Sequence, residues 1–358
     1  MNISILGAGA MGAALTVPFA DGGHTVTLWC TEHDGEAYQA LSAGGPHPKL
    51  KAGLPEVVRV FHQDELKEAL RGAELVVLGV STPGVLPVLK RMRSITSEIP
   101  PILTVAKGFM LFDERPYPLP SAIRRELGNR MSGTVPSLLS LAGPSIAGEL
   151  VRRRPTAAAI SGHMPGGLRG LCKALATDYF WIDPVEDMKG LEMCLAYKNI
   201  YSIALAWPGG LEGVHEELDS RNNLTAILMI QIVDELSHLV KGHGGDPGTV
   251  GGWAGLGDLI ATSGGGRNGR FGHLLASGCS TEKALDILEK EGVRTVEGYL
   301  ALARGVTCAR ELFGCGWAGE LPLLDAVQRV IEGNTTVRWV VGNIQRIRET
   351  NQERSRGT

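Results

Sequence analysis

A chain of 358 residues, 44% hydrophobic and 20% charged, has the length for about two domains and the balance of an ordinary globular protein. Its net charge of -3 and sequence pI near 6.3 supply no basic field, which argues against nucleic acid or an anionic membrane surface as partner. The 48 glycines are scattered rather than periodic, and the six cysteines form no CxxC pair or zinc-spaced cluster, so collagen-like, low-complexity and zinc-site readings all fail.

No uninterrupted apolar run approaches the length of a membrane span, and the N-terminus opens on a strand rather than a charged and apolar leader. The expectation is a cytoplasmic protein with reduced thiols and no stable membrane insertion. Asn2 to Leu6 is a short apolar strand. It runs directly into Gly7-Ala8-Gly9-Ala10-Met11-Gly12 and a helix-prone segment, and a second strand follows over His24 to Trp29. Strand, GxGxxG and helix in this order make a dinucleotide turn: the glycines permit close approach of a pyrophosphate and the helix N-terminus attracts it. Pro18, deep in that helix, predicts a kink or an early stop. The residue after the second strand normally selects the cofactor. Here Cys30, Thr31, Glu32 and His33 offer donors for a 2′-phosphate and an acid for ribose, which leaves NAD and NADP both open with a lean toward NADP.

Further strands are expected at Val57 to Phe61, Leu75 to Val80, Ile102 to Ala106, Leu138 to Ala142, Ala157 to Ser161 and Phe180 to Asp183, with helices such as Asp64 to Arg71 and Val85 to Arg93 between them. This alternation predicts an α/β fold whose doubly wound, mostly parallel sheet binds ligands at its strand ends. Those ends carry Ser81-Thr82-Pro83, Lys107-Gly108 and Gly143-Pro144-Ser145.

Strand signals stop after Asp183. Residues 1–187 are therefore read as a Rossmann-type domain and 188–358 as an all-helical one. Gly190 to Trp207 is apolar on nearly every face, so Lys198 and its neighbour Asn199 lie on a helix that belongs in a core. Burial without a partner would lower the lysine pKa and make it a proton donor and acceptor near neutral pH, unless the side chain snorkels to water. Helices are expected over Asn222 to Lys241, Thr281 to Lys290, Val296 to Phe313, Pro322 to Ile331 and Thr336 to Glu349, before a fraying NQERSRGT tail. Between the first two lies Gly251 to Gly272, where a short apolar step with Asp258 and Thr262 meets a glycine run delivering Arg267 and Asn268. The run reads as too Gly-rich for ordinary helix and suits an anion grip.

With GAGAMG, VAKGF, AGPSIAGEL, AYKNIYSIA, GLGDLIAT, GGRNGRFG, TVEGY and LPLLDAV in this order, the chain resembles the NAD(P)-dependent glycerol-3-phosphate dehydrogenases over nearly its full length. The resemblance implies interconversion of dihydroxyacetone phosphate and sn-glycerol 3-phosphate, supply of glycerol phosphate for phospholipid synthesis, and a homodimer. It also implies roles: Lys198 as general acid/base, Lys107 as a second active-site lysine, Gly143 and Ser145 beside substrate with Asn199, Asp258 and Thr262, and Arg267 and Asn268 on the phosphate side. Cofactor would meet Gly7, Gly9, Ala10, Met11, Gly12, Thr31, Lys107, Ala147, Arg267 and Glu297, and no metal is called for. Met11 and Thr31 depart from the aromatic residue and the Arg of many bacterial members. Two lysines near one another would depress each other's pKa. A reductase of the 6-phosphogluconate, β-hydroxyacid or ketopantoate type is the rival enzyme, and a non-catalytic dinucleotide sensor the rival of another class.

Overall fold

The computed structural model describes residues 1–96, 98–130, 136–211, 221–263, 265–293 and 295–345. The expected fraying tail, the last residues of the helix expected to reach Glu349, and Gly264 of the glycine run lie outside these. The chain divides into two compact units, Met1–Glu192 and Met193–Thr358.

The first unit is built on β1 (Asn2–Leu6), β2 (Thr25–Trp29), β3 (Arg59–Phe61), β4 (Leu75–Leu78), β5 (Ile102–Thr104), β6 (Phe109–Phe112), β7 (Arg115–Pro118), β8 (Leu138–Ala142), β9 (Thr156–Gly162) and β10 (Phe180–Val185). Eight of these form one sheet in the order β10-β9-β8-β5-β4-β1-β2-β3, parallel except where β8 meets β9. The eight strands are those expected from the sequence. Alternate residues enter two different cores: Ile3, Ile5, Val77 and Leu103 face one way, and Leu6, Val76, Leu78 and Ile102 the other. Both faces are covered, which is why these strands read as continuous apolar runs. Because β1 pairs with both β2 and β4, the strand order reverses at β1, and the turn after Leu6 opens at that switch point.

One expectation for this unit is corrected, the early stop at Pro18, and one element goes beyond those expected. Pro18 neither stops nor shortens the first helix, which spans Ala10–Asp21; the proline sits near its end, and the Gly22 N–H still donates to the Pro18 carbonyl at 2.9 Å. The sheet also has a companion that the apolar pattern did not announce, the β6–β7 hairpin. Its two-residue loop puts Asp113 and Glu114 at φ 47° and 62°, a conformation usually supplied by Asn-Gly.

A helix over Met188–Leu205 carries Lys198. It is buried all round, and near its start the fully buried Glu192 is held by Ser121 and Arg124. Burial pushes the Glu192 carboxyl upward while Arg124 opposes it. The second unit continues with helices Arg221–Gly242, Asp258–Ser263, Gly266–Ala276, Thr281–Lys290, Glu297–Phe313, Pro322–Ile331 and Val337–Gly342. From Gly266 onward the Gly-rich stretch is thus helical where loop was expected, because tertiary packing overrides propensity. Gly272 shows how: a Cβ there would lie 2.0 Å from the Ile203 carbonyl oxygen, so the missing side chain lets this helix touch the backbone of the lysine helix.

Residues Asn222–Gly242 have by length and composition alone what a membrane span needs, with mean hydropathy 1.2, although polar residues interrupt the run. Of their polar residues, Gln231 and Glu235 are buried and bonded to each other, while Asn222, Asn223, Asp234 and Lys241 are exposed. Glu235 is fully buried and accepts from Leu323 N (2.6 Å), Leu324 N (3.0 Å), Gln231 Nε2 (2.9 Å) and the Tyr201 hydroxyl (2.8 Å), capping the Pro322–Ile331 helix. All six cysteines are free thiols; Cys30, Cys172, Cys194 and Cys308 are buried, Cys279 is half-buried and Cys315 exposed.

Candidate active site

The glycine turn has the shape a dinucleotide needs. Gly7 adopts φ +111°, and a Cβ on Gly12 would lie 2.1 Å from the Gly7 carbonyl oxygen, so the helix begins in contact with the turn itself. Gly9 caps the helix with no side-chain acceptor, which leaves the first backbone N–H groups directed outward. Gly9, Ala10 and Met11 are half-buried, whereas Gly7, Ala8 and Gly12 are buried. Ala147, at the start of the short helix Ala147–Leu150, packs on the same core as Ala10 and Met11.

Lys107, Gly143 and Ser145 follow β5 and β8, whose register with β4 and β1 aligns Leu6, Leu78, Thr104 and Ser140 across the sheet. They therefore emerge on the rim that carries the glycine turn. The Thr82 hydroxyl donates to the Lys107 carbonyl at 2.7 Å, and Ser145 N donates to the Gly143 carbonyl at 2.8 Å.

Thr31 is in place after β2, but its hydroxyl donates to Asp34 Oδ2 at 2.7 Å. The same oxygen accepts from Thr31 N (2.9 Å) and from Ala8 N (3.1 Å), joining the second strand end to the glycine turn. No sequence motif sets Asp34 apart as a site residue. Its position before the Gly35–Ser42 helix marks it as an N-cap, yet its side chain makes no cap bond and turns to Ala8 instead. His47 is buried and reaches the Ala8 carbonyl from the other side at 2.9 Å; it sits in a Gly- and Pro-rich loop with no motif to mark it.

In the second unit the expected residues come together. Lys198, 5% exposed, donates from Nζ to Asp258 Oδ1 at 2.8 Å, and Asp258 is 2% exposed. The lysine therefore has a counter-charge within the protein and does not snorkel. Asp258 opens its helix directly after a π-helical turn over Trp253–Gly257, an irregularity often found at functional sites. The Thr262 hydroxyl donates to the Asp258 carbonyl at 2.8 Å, and Ser202, one turn beyond Lys198, donates to the Lys198 carbonyl and lies 3.5 Å from Thr262 Oγ1.

Asn199, the next residue along the helix, bonds to Glu297 and Asn268. Its Nδ2 donates to Glu297 Oε2 (2.9 Å) and its Oδ1 accepts from Asn268 Nδ2 (3.1 Å), while Asn268 Oδ1 accepts from Gly298 N (2.8 Å). Arg267 Nη2 donates to Glu297 Oε1 at 2.8 Å. Arg267 and Asn268 occupy the first turn of the Gly266–Ala276 helix. The arrangement offers a buried proton donor and acceptor beside a half-exposed guanidinium. Among the described residues no cluster of His, Cys, Asp and Glu could hold a metal.

Two family descriptions match this chain: NAD-dependent glycerol-3-phosphate dehydrogenase N-terminus over residues 2–165 and the corresponding C-terminus over residues 187–342. The NADP(+)-dependent glycerol-3-phosphate dehydrogenase of Archaeoglobus fulgidus is 37% identical over 341 residues, covering 95% of this chain and 98% of that protein. The NAD(P)+ glycerol-3-phosphate dehydrogenase of Geobacillus thermodenitrificans is 34% identical over 313 residues, 85% of each chain. The crystal structure of glycerol-3-phosphate dehydrogenase from Coxiella burnetii superposes with a TM-score of 0.79 at 27% identity, covering 96% of this chain and 98% of that one.

Proposed function

Because the chain belongs to the NAD-dependent glycerol-3-phosphate dehydrogenase family, we propose that it interconverts dihydroxyacetone phosphate and sn-glycerol 3-phosphate, with NADP preferred to NAD. In this reading it works in the cytoplasm as a homodimer and supplies glycerol phosphate for phospholipid synthesis. The observation that carries the proposal is the buried Lys198–Asp258 pair with Asn199, the next residue along the helix, bonded to Asn268 and, through Glu297, to Arg267.

The turn Gly7 to Gly12 would hold the pyrophosphate on the backbone N–H groups of Gly9, Ala10 and Met11. When bound, the dinucleotide supplies or accepts a hydride. Lys198 acts on the oxygen of the reacting carbon: its ammonium donates a proton as negative charge grows on the carbonyl oxygen, and its amine recovers that proton in the reverse direction. Asp258 orients Nζ and keeps the charged form tolerable in a dry site. Lys107 adds a second positive charge for the developing alkoxide.

Arg267 and Asn268 take the substrate phosphate. The Arg267–Glu297 bridge is half-exposed at both ends, 50% and 41%, and such pairs are worth only about 0–1 kcal/mol, so the guanidinium can turn to a phosphate at little cost. Asn268 donates one Nδ2 hydrogen to Asn199 and has a second for the phosphate.

Steady-state reduction of dihydroxyacetone phosphate with NADPH and with NADH tests the reading. Lys198→Ala should lower kcat by about 10² to 10⁴, the usual worth of a positioned acid or base. Near wild-type turnover in that variant would sink the assignment of Lys198. Arg267→Ala should chiefly raise the KM of the phosphorylated substrate, and an equal loss on an unphosphorylated ketone would speak against the phosphate grip.

A further inference from the structure

We infer that His47 is a positioning residue for the dinucleotide: it fixes the Ala8–Gly9 peptide so that the Gly9 N–H faces the pyrophosphate. The inference rests on the reading of the first unit as a dinucleotide-binding domain.

His47 is 1% exposed, and its ring contacts assign its hydrogen. Nδ1 accepts from the backbone N–H groups of Lys49 (3.2 Å) and Leu50 (3.3 Å), so the one ring hydrogen of a neutral imidazole sits on Nε2. That hydrogen points at the Ala8 carbonyl oxygen, 2.9 Å away. The loop that carries the ring is anchored as well. His47 N donates to the Ala52 carbonyl (2.8 Å), the His47 carbonyl accepts from Lys51 N (2.9 Å), and Arg152 Nη2 holds the Leu50 carbonyl at 3.1 Å.

In a planar trans peptide the C=O and N–H point in opposite directions. Holding the Ala8 carbonyl inward on His47 therefore turns the Gly9 N–H away from the buried side, where Ala8 is 1% exposed and Gly9 half-buried. Without that anchor this peptide has an alternative. Residue 9 has no Cβ to restrict φ, so the unit between Ala8 and Gly9 can rotate, presenting a carbonyl oxygen where the phosphates would bind. Asp34 holds the preceding peptide through Ala8 N. Together the two side chains fix both peptides that flank Ala8, and His47 governs the one whose N–H belongs to the helix entrance.

The test compares His47→Asn with His47→Gln. Asn can still accept from Lys49 and Leu50 but is too short to reach Ala8; Gln can place an amide hydrogen at the distance of Nε2. Nitrogen-15 imidazole spectra of the apo wild type should show the Nε2–H tautomer. Trp fluorescence titration with NADPH should give a Kd raised about 5- to 30-fold by His47→Asn, which is about 1 to 2 kcal/mol, while His47→Gln stays within about threefold of wild type. The NADPH KM should follow the Kd, with kcat on dihydroxyacetone phosphate at saturating cofactor within about twofold. An Nδ1–H tautomer, an unchanged Kd in His47→Asn, or a Gln variant no better than the Asn variant would each overturn the proposal. So would losses of affinity that only track a falling Tm in both variants, since His47 would then be structural. Binding is read on the dinucleotide directly, so a wild-type protein inactive on dihydroxyacetone phosphate would remove the substrate reading while the Kd comparison still decides the role of His47.

Discussion

A lysine inside an apolar helix stays an ammonium only with a counter-charge beside it, and Asp258 at 2.8 Å provides one. Breaking one side of such a pair leaves a charge stranded, at a cost of about 3–5 kcal/mol. Asp258→Asn should therefore lower Tm as well as kcat. Lys198→Met combined with Asp258→Leu should recover most of the stability while remaining inactive, because replacing both partners removes the desolvation problem. Urea unfolding of the wild type and the two variants checks this, and a double variant less stable than Asp258→Asn would refute it. Lys198 was legible in the sequence because an apolar helix makes a single cation conspicuous. Asp34 and His47 were not, because an Asp before a helix and a His between prolines look like local turn chemistry, and their partner Ala8 lies 26 and 39 residues away.

At the scale of elements, Glu235 joins three helices: it stands on Arg221–Gly242, accepts from Tyr201 of the lysine helix and caps Pro322–Ile331. Burial pushes its carboxyl up to about 7 from an ordinary value of 4.5. A raised carboxyl pKa means that the folded state holds the proton more tightly than the unfolded chain. The resulting stabilisation is complete below about pH 4.5 and is lost as pH rises through 7, a change of about 3 kcal/mol. Between pH 5 and 8 the Tm of the wild type should thus fall relative to Glu235→Gln, which does not titrate; parallel curves for the two proteins would refute it. A second expectation concerns Gly298, where a Cβ would lie 2.1 Å from the Asn199 carbonyl oxygen. Gly298→Ala should force the helix that begins at Glu297 away from Asn199, costing about 1–3 kcal/mol and weakening turnover, measurable by thermal unfolding and kcat together. The elements least legible in the sequence were Gly266–Ala276 and the β6–β7 hairpin. In the first, glycines serve packing rather than flexibility; in the second, Asp113 and Glu114 stand in a turn usually marked by Asn and Gly.

Over the whole molecule, periodicity carried the reading furthest where burial on both faces made the strands continuous, and the sheet of the first unit was legible strand by strand. Ligand linkage should act on that unit. At 100 times its Kd, NADPH adds about 2.7 kcal/mol to the stability of whatever binds it. Calorimetry should show the transition of the Met1–Glu192 unit moving upward, and more with NADPH than with an equal concentration of NADH; a larger shift with NADH would reverse the proposed cofactor preference. The thiols have a practical consequence. Burial pushes Cys30 and Cys308 up to about 12 and Cys172 up to about 11, so none of the three offers appreciable thiolate at neutral pH. Cys315, exposed on the turn after Phe313, is the first place a maleimide dye should couple. The unaltered chain thereby carries its own attachment point for a fluorophore in the helical unit, away from Lys198 in sequence and requiring no engineered cysteine.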